Sequence, residues 1–381
     1  INLSASPYSI TKQGHRDKIL TDACKSVRAH ILYCNLVGGQ DELVFDGRSR
    51  LMSPAGKTLT SLKAFKEDYK VLNFHKKTVE KAVKIEYRSS AGPKEIPEKQ
   101  DELRDILSAL ELGLRDYVQK NKFSKVLIGL SGGVDSALAA ALAVRALGNK
   151  SVIGVTMPSV YSSKSTYRDA FKSAEVCGIQ IYSIPIRDIH DQMLNALHPL
   201  FKKTEIGVAE ENLQARIRGS ILMSLSNKFN WLVLTTGNKS EMATGYCTLY
   251  GDMCGGFAPI KDLSKTLVYK LCRYINKIER KEMIPLSVIR RAPTAELRPN
   301  QKDRDSLPPY SELDKILEQY VELDMPSTSF KTKIKRQEVK KIISMVNRNE
   351  YKRRQAAIGT KITSKAFGKD RRLPVTNGFQ L

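Results

Sequence analysis

Residues 130–142 read LSGGVDSALAAAL. A short apolar run, KVLIGL (125–130), leads into the glycines, and a small-residue helical run, DSALAAALAVRALG, leads out of them. Strand, glycine turn and helix form the junction where a parallel α/β sheet presents a ligand, at the carboxyl ends of its strands. The glycines let backbone N–H groups approach an anion closely. The helix start adds unpaired donors and partial positive charge. Ser131 and Ser136 can donate hydroxyl hydrogen bonds, and Asp135, otherwise repelled by phosphate, makes sense with Mg²⁺ between them. A Walker loop would place Gly-Lys-Ser/Thr here. This chain has Asp135-Ser136-Ala137 instead, so an ordinary kinase or GTPase loop is excluded.

Further strands alternate with helices on both sides of this junction. DELRDILSALELGLRDYVQKN (101–121) carries apolar residues at 103, 106, 107, 110, 114 and 118, a helical stripe. SVIGVTM (151–157), IQIYSIPI (179–186) and WLVLTT (231–236) read as strands, and STYRDAFKSAEVCG and AEENLQARIRGSILMSLSNKF as helices. The pattern predicts an α/β fold, a Rossmann-like parallel sheet with helices on both faces. Residues 1–88 read differently, as a β-rich part with one helix over 14–33, whose Ile19, Ala23, Val27 and Ile31 form an apolar stripe. Asp46-Gly47 and Pro54-Ala55-Gly56 interrupt strand-like runs as hairpin turns. SSAGPKEIPEKQ (89–100) is rich in Pro, Gly and charge and reads as a linker. Three parts follow: 1–88, the linker 89–100, and 101–381.

The 381 residues carry 63 Lys+Arg against 40 Asp+Glu, a net charge of +23, which implies anionic partners. From Lys331 to Leu381 there are 15 basic and 3 acidic residues, a basic C-terminal tail. The six cysteines are dispersed without CxxC spacing, which argues against a zinc cage or disulfide framework and for a reducing compartment, the cytoplasm. No apolar run reaches the roughly 18 residues of a membrane span. The chain opens on Ile1 inside an apolar stretch and reads as a fragment of something longer.

Beyond the glycine turn, EENLQARIRG (210–219) sets Asn212 and Arg216 four apart on one helical face, suited to phosphate and ribose recognition. TTGNKSEMATGY (235–246) follows a strand and offers Glu241 as a second metal ligand facing Asp135. YGDMCGGFAPIKDLSKTLVYKL (250–271) is glycine-rich, then helical. RAPTAELRPNQKDRDSLPPYSELD (291–314) has the extended, Pro-rich character of a site-lining loop.

The turn resembles the SGGxDS pyrophosphate loop of the N-type ATP-pyrophosphatases, whose members release pyrophosphate after attack on the α-phosphate. With the other motifs, in this order, the chain resembles the glutamine-dependent NAD⁺ synthetase family. INLSASPYSITKQGHRDKIL and YCNLVGGQDELVFDGRSRLMSPAGKTL resemble the later part of its nitrilase-like α-β-β-α sandwich. The resemblance implies ATP-dependent amidation of deamido-NAD through an acyl-adenylate, with ammonia from glutamine. It places ATP on Gly129, Ser131, Gly132, Gly133, Val134, Asp135, Ser136, Met157, Arg218, Thr236, Lys265 and Thr294. Deamido-NAD falls to Asn212, Arg216, Lys239, Glu241, Asp252, Tyr351 and Lys352, and Mg²⁺ to Asp135 and Glu241. Tyr351 stands where the smaller ammonia-dependent enzymes have His.

Nitrilase-like glutaminases use Glu, Lys and Cys, all expected upstream of residue 1, so no catalytic glutaminase residue is assigned. Cys24, on a core-like helix face, and Cys34 are not the nucleophile. Ser4 and Ser6 are expected to contact glutamine. A homo-oligomer is expected, with no nucleic acid or membrane partner. The rivals are another adenylating amidotransferase with this loop, and an RNA-modifying protein of the same loop class. TGNKSE with PTAELRPNQKD argues against the first. The second should interleave aromatic with basic residues, and the tail has only Tyr351, Phe367 and Phe379.

Overall fold

The structure, a computed structural model, describes residues 1–79, 82–88, 101–299, 301, 303–305, 307–376 and 378. The expected linker, 89–100, lies outside the described residues. In chain order the first part contains β1 (Asn2–Ser4), α1 (Lys12–Val27), β2 (Ile31–Asn35), β3 (Val37–Gln40), β4 (Leu43–Asp46), β5 (Arg50–Met52), β6 (Thr58–Ser61), β7 (Asn73–Val79) and β8 (Ala82–Arg88). One sheet runs β1-β2-β5-β6, with β1 parallel to β2 and the other pairs antiparallel, while β3–β4 and β7–β8 are separate hairpins. Both expected turns form, with Gly47 and Gly56 in the left-handed region at φ +63° and +79°.

The helix expected over 14–33 stops earlier. Arg28 adopts φ 50° and ends α1, so Ile31 belongs to β2. Its buried face is also not the expected stripe. Ile19 and Val27 are exposed, whereas Gln13, Arg16, Leu20 and Cys24 are buried. A cation wins a core place here because Asp46, itself buried, accepts from Arg16 at 3.0 Å.

The second part begins with α2 (Glu102–Lys120) and β9 (Val126–Gly129), then α3 (Val134–Leu147), β10 (Val152–Thr156), α4 (Lys164–Cys177) and β11 (Gln180–Ser183). Next come α5 (Arg187–Phe201), α6 (Val208–Phe229), β12 (Leu232–Leu234), α7 (Lys239–Thr244), α8 (Lys265–Glu279) and α9 (Leu286–Arg290). The chain closes with α10 (Tyr310–Leu317), α11 (Arg336–Arg348) and α12 (Glu350–Arg353). The sheet β11-β10-β9-β12 is parallel throughout. β9, β10 and β12 are short and apolar on both sides, as a doubly covered sheet requires, whereas the edge strand β11 is more polar and mostly exposed. Val126, Ile128, Val152, Leu232 and Leu234 face a core shared with α2, α3, α4 and α8. Leu127, Ile153, Val155 and Val233 face α6 and the start of α5. The period-two alternation of strands thus assigns each residue its layer. α3 is alanine-rich and packs closely, and Gly148 ends it at φ +83°. The sequence reading held no helix over 187–201, where α5 stands.

The order places β9 between β10 and β12, so the chain leaves β9 for one side of the sheet and later returns on the other. The crevice at this switch lies outside the carboxyl ends of β9 and β12. The basic C-terminal segment is not a solvated tail. α11 buries Val339, Ile342, Ile343 and Val346 against Leu313, Ile316 and Leu317 of α10. The two parts meet directly. Gly39 N–H donates to Asp116 Oδ2 (2.7 Å), and Arg48 pairs with Asp105 (2.5 Å). Ile10 N–H donates to the Ile362 carbonyl (2.9 Å) and Lys361 N–H to that of Glu42 (2.7 Å).

Candidate active site

At the end of β9, Gly132 takes φ +79°, and a Cβ there would lie 2.1 Å from the Thr166 carbonyl oxygen. Only glycine fits. Gly133 starts α3, and no side chain caps that helix end, which leaves its donors to a ligand. Ser131 Oγ and Ser136 Oγ lie 3.2 Å apart beside it.

At the end of β12, Asn238 caps α7. Its Oδ1 accepts from Glu241 N–H (3.1 Å), and Glu241 Oε2 accepts from Asn238 N–H (3.4 Å), a reciprocal capping box. The fully buried Asn238 also donates through Nδ2 to Asp135 Oδ1 (3.0 Å), joining the two strand ends. Glu241 is thereby aimed at Asp135, as expected, but a third group stands between them. Lys265, 2% exposed at the start of α8, donates to Asp135 Oδ2 (2.5 Å) and Glu241 Oε1 (3.0 Å). It also sits 5.3 Å from the centre of the Tyr310 ring. Burial pushes the Glu241 carboxyl up to about 7, the ammonium of Lys265 pulling it down and the charge of Asp135 adding to the rise. The two carboxylates raise Lys265 above the usual lysine range despite its burial. Next to them Tyr310 and Tyr246 donate to Asp303 at 2.9 and 3.3 Å.

These groups open into a cavity of about 630 Å³. The whole turn 129–136 lines it, as do Met157, Arg218, Thr236, Lys265 and Thr294, each expected near ATP. Arg218 is held by the Met157 carbonyl (3.0 Å), and burial lowers it to about 10, still a cation at neutral pH. Of the residues expected near deamido-NAD, Asn212, Glu241, Asp252 and Lys352 line the cavity. Asn212 accepts from Thr248 Oγ1 (2.7 Å), and Lys352 donates to the carbonyls of Gly245 (2.7 Å) and Cys247 (2.8 Å).

Three expected residues are elsewhere. Lys239 points away into a buried network with Glu322 (2.7 Å), Thr363 (2.7 Å) and Asp262 (3.0 Å). The capping box that aims Glu241 inward turns its neighbour outward. Arg216 is exposed and donates to the Leu249 carbonyl (3.3 Å), since on α6 the inward face is carried by Asn212, Ala215 and Arg218. Tyr351 is exposed too, one residue before the inward Lys352 on α12. Ser4 and Ser6 lie in the first part, away from this cavity. Ser6 is fixed by Asn35 and Arg16. Cys24 is fully buried.

Reading motifs alone missed Arg291, Glu296, Gln301 and Asp303, which line the cavity from the aperiodic 291–303 loop. Their only signal was the extended character of that loop. Glu296, in the left-handed region at φ 47°, accepts from Thr166 Oγ1 (2.7 Å) and ties the loop to α4. Two half-buried carboxylates around an ammonium, a lysine-free turn with open donors at a helix start, and an arginine thus line one cavity.

Residues 106–356 match the family described as NAD synthase. The chain is similar to the glutamine-dependent NAD(+) synthetases of Aquifex aeolicus and Thermotoga maritima. It is 47% identical to each, over 401 and 405 residues, covering 100% of this chain and 70% of each relative. It is also similar to the solved glutamine-dependent NAD+ synthetase of Acinetobacter baumannii in complex with ADP. There the TM-score is 0.69 at 40% identity, over 99% of this chain and 68% of that one.

Proposed function

Because the chain belongs to the NAD synthase family, we propose how its cavity performs that family's reaction. The reaction is the ATP-dependent amidation of deamido-NAD to NAD⁺, with glutamine as nitrogen source. The deamido-NAD carboxylate attacks the α-phosphorus of ATP, pyrophosphate departs, and ammonia displaces AMP from the acyl-adenylate.

The observation that supports this assignment best is the convergence of Asp135 and Glu241 at the lysine-free turn. The carboxylates of Asp135 and Glu241 are hard-oxygen donors of the kind Mg²⁺ takes, and each binds Lys265 through only one oxygen. Asp135 and Glu241 would hold the ion, and Mg²⁺ bound there neutralises charge on the departing pyrophosphate. The turn 131–136 and the start of α3 bind the outer phosphates. Lys265, Arg218 and Thr294 face the triphosphate, and Met157 and Thr236 flank the adenosine. Asn212, Asp252 and Lys352 hold deamido-NAD. Positioning and charge stabilisation suffice, so no covalent enzyme intermediate is needed. The cavity thiols fit that view, since burial raises Cys254 and pushes Cys247 up to about 12, away from thiolate.

Residues 1–88 form the later part of a glutaminase domain, with Ser4 and Ser6 near glutamine, and 101–381 form the synthetase domain. Among the described residues no helix is long and apolar enough to cross a membrane, and the dispersed free cysteines favour the cytoplasm. α5 leaves Ile189, Met193 and Leu200 exposed, an apolar surface that favours a homo-oligomer.

The test is Asp135→Ala assayed with ATP, deamido-NAD and ammonia, following AMP. The variant loses about a hundredfold or more in rate, the scale of removing a main electrostatic stabiliser. Near-normal AMP formation, or ADP as product, would overturn the assignment.

A further inference from the structure

The turn lacks the lysine of ordinary phosphate loops, yet a cation grips its backbone from outside. Arg291, at the end of α9 and lining the cavity, donates through Nη1 to the carbonyl oxygen of Gly132 (3.4 Å). Its Nη2 pairs with Asp169 Oδ2 on α4. Asp169 is 7% exposed, and its other oxygen accepts from Ser287 Oγ (2.7 Å), so the carboxylate that holds the guanidinium is itself fixed. The opposite edge of the Gly132–Gly133 peptide continues the chain of bonds. Gly133 N–H donates to Ser131 Oγ (3.2 Å), which lies 3.2 Å from Ser136 Oγ. Ser136 Oγ donates its single proton to the Gly133 carbonyl (3.0 Å), so in the Ser131–Ser136 contact the donor is Ser131. The path therefore has one polarity, from the guanidinium through a peptide to two hydroxyls, and each bond strengthens the next.

We propose that Arg291 is a positioning residue for the leaving pyrophosphate. It locks the Gly132–Gly133 peptide so that Ser131 Oγ, held by the Gly133 N–H, turns its proton from Ser136 Oγ to an outer phosphate, whose oxygens only accept. This rests on reading 131–136 as the pyrophosphate turn. The left-handed Gly132 is already pressed against the Thr166 backbone on one side. Arg291 closes the other, so the peptide plane cannot rotate without losing its bond to a guanidinium that Asp169 holds in place. A lysine could not replace it, because one ammonium lacks the planar fork that reaches a carbonyl and a carboxylate at once.

The experiment is titration calorimetry of the full chain with Mg²⁺ and inorganic pyrophosphate, and separately with AMP. Arg291→Ala weakens pyrophosphate binding tenfold or more and AMP binding by less than twofold. Arg291→Lys restores the melting temperature through its pairing with Asp169 but does not restore pyrophosphate affinity. Ser131→Ala loses affinity to a similar degree, and the Ser131→Ala/Arg291→Ala double variant is within twofold of Ser131→Ala alone. Unchanged pyrophosphate affinity in Arg291→Ala, parallel weakening of AMP, or additive losses in the double variant would each overturn the proposal. A parent chain that binds no pyrophosphate and makes no AMP would fail at the underlying assignment instead.

Discussion

Glu241 is half-buried beside a second carboxylate, and its behaviour with pH follows from its surroundings. Desolvation pushes its carboxyl in the folded chain up to about 7 from an ordinary value of 4.5. The raised value means the folded state binds the proton more tightly. The stabilisation this group gives is fully present below the unfolded value and lost as pH rises through about 7. Glu241→Gln mimics the protonated form at every pH. In metal-free buffer the variant therefore unfolds at a higher temperature than the parent at pH 8, and the gap closes toward pH 5. Thermal unfolding at both values checks this. A gap that does not change with pH would show that Lys265 fully compensates the carboxylate. The same variant binds Mg²⁺ and ATP less well at all pH values, because an amide is a poorer ligand than a carboxylate.

At the scale of elements, the capping box of α7 carries both stability and site geometry. Asn238 satisfies the first turn of a six-residue helix and pins Asp135. Asn238→Ala removes the cap and leaves the half-buried Asp135 oxygen short of a donor. It should cost about 1–2 kcal/mol and lower the melting temperature by roughly 2–4 °C. An unchanged melting temperature would mean the cap is replaced by water. The parallel sheet and α3 could be read from sequence because buried strands are continuous apolar runs and the glycine turn marks their end. The face of α1 could not, because Arg16 enters the core through a charge partner, Asp46, that is distant in sequence. α5 escaped for a related reason. Its inward stripe opens on His190 and continues through half-buried Leu194 and Leu197, while exposed Ile189, Met193 and Leu200 blur the period, and Pro199 sits within its last turn. The site divided the same way. Residues on the glycine turn and capping box were visible by motif, whereas Lys239 and Arg216 share those motifs but face away. Inward direction is set by caps and helix phase, which a list of polar residues does not carry.

At the scale of the whole molecule, the segment after α12 joins three regions. Ala356 and Ala357 line the cavity, and Lys361 and Ile362 bond to the backbone of the first part. Thr363 bonds to Asp262 beside the buried Lys239. Gly113, in the middle of α2, is the contact on which this segment rests. A Cβ there would lie 2.3 Å from Thr360 Oγ1 and 3.1 Å from Val44 Cγ2 of β4. Turning the Thr360 hydroxyl aside does not relieve the clash, because Thr360 Cγ2 is also at 3.1 Å. Gly113→Ala therefore pushes apart α2, the first part and the C-terminal segment together, at a cost of about 1–3 kcal/mol. The displacement should be local to that joint, because β9 and β10 are held by their own ladder and by α3. Hydrogen exchange read by mass spectrometry tests this. Amides at 358–363 lose protection in the variant while those of β9 and β10 keep theirs, and KM for deamido-NAD rises because 352–357 shift with the segment. If protection falls evenly across the sheet, the two parts unfold as one unit. The joint would then be ordinary core rather than the link between the cavity and the first part.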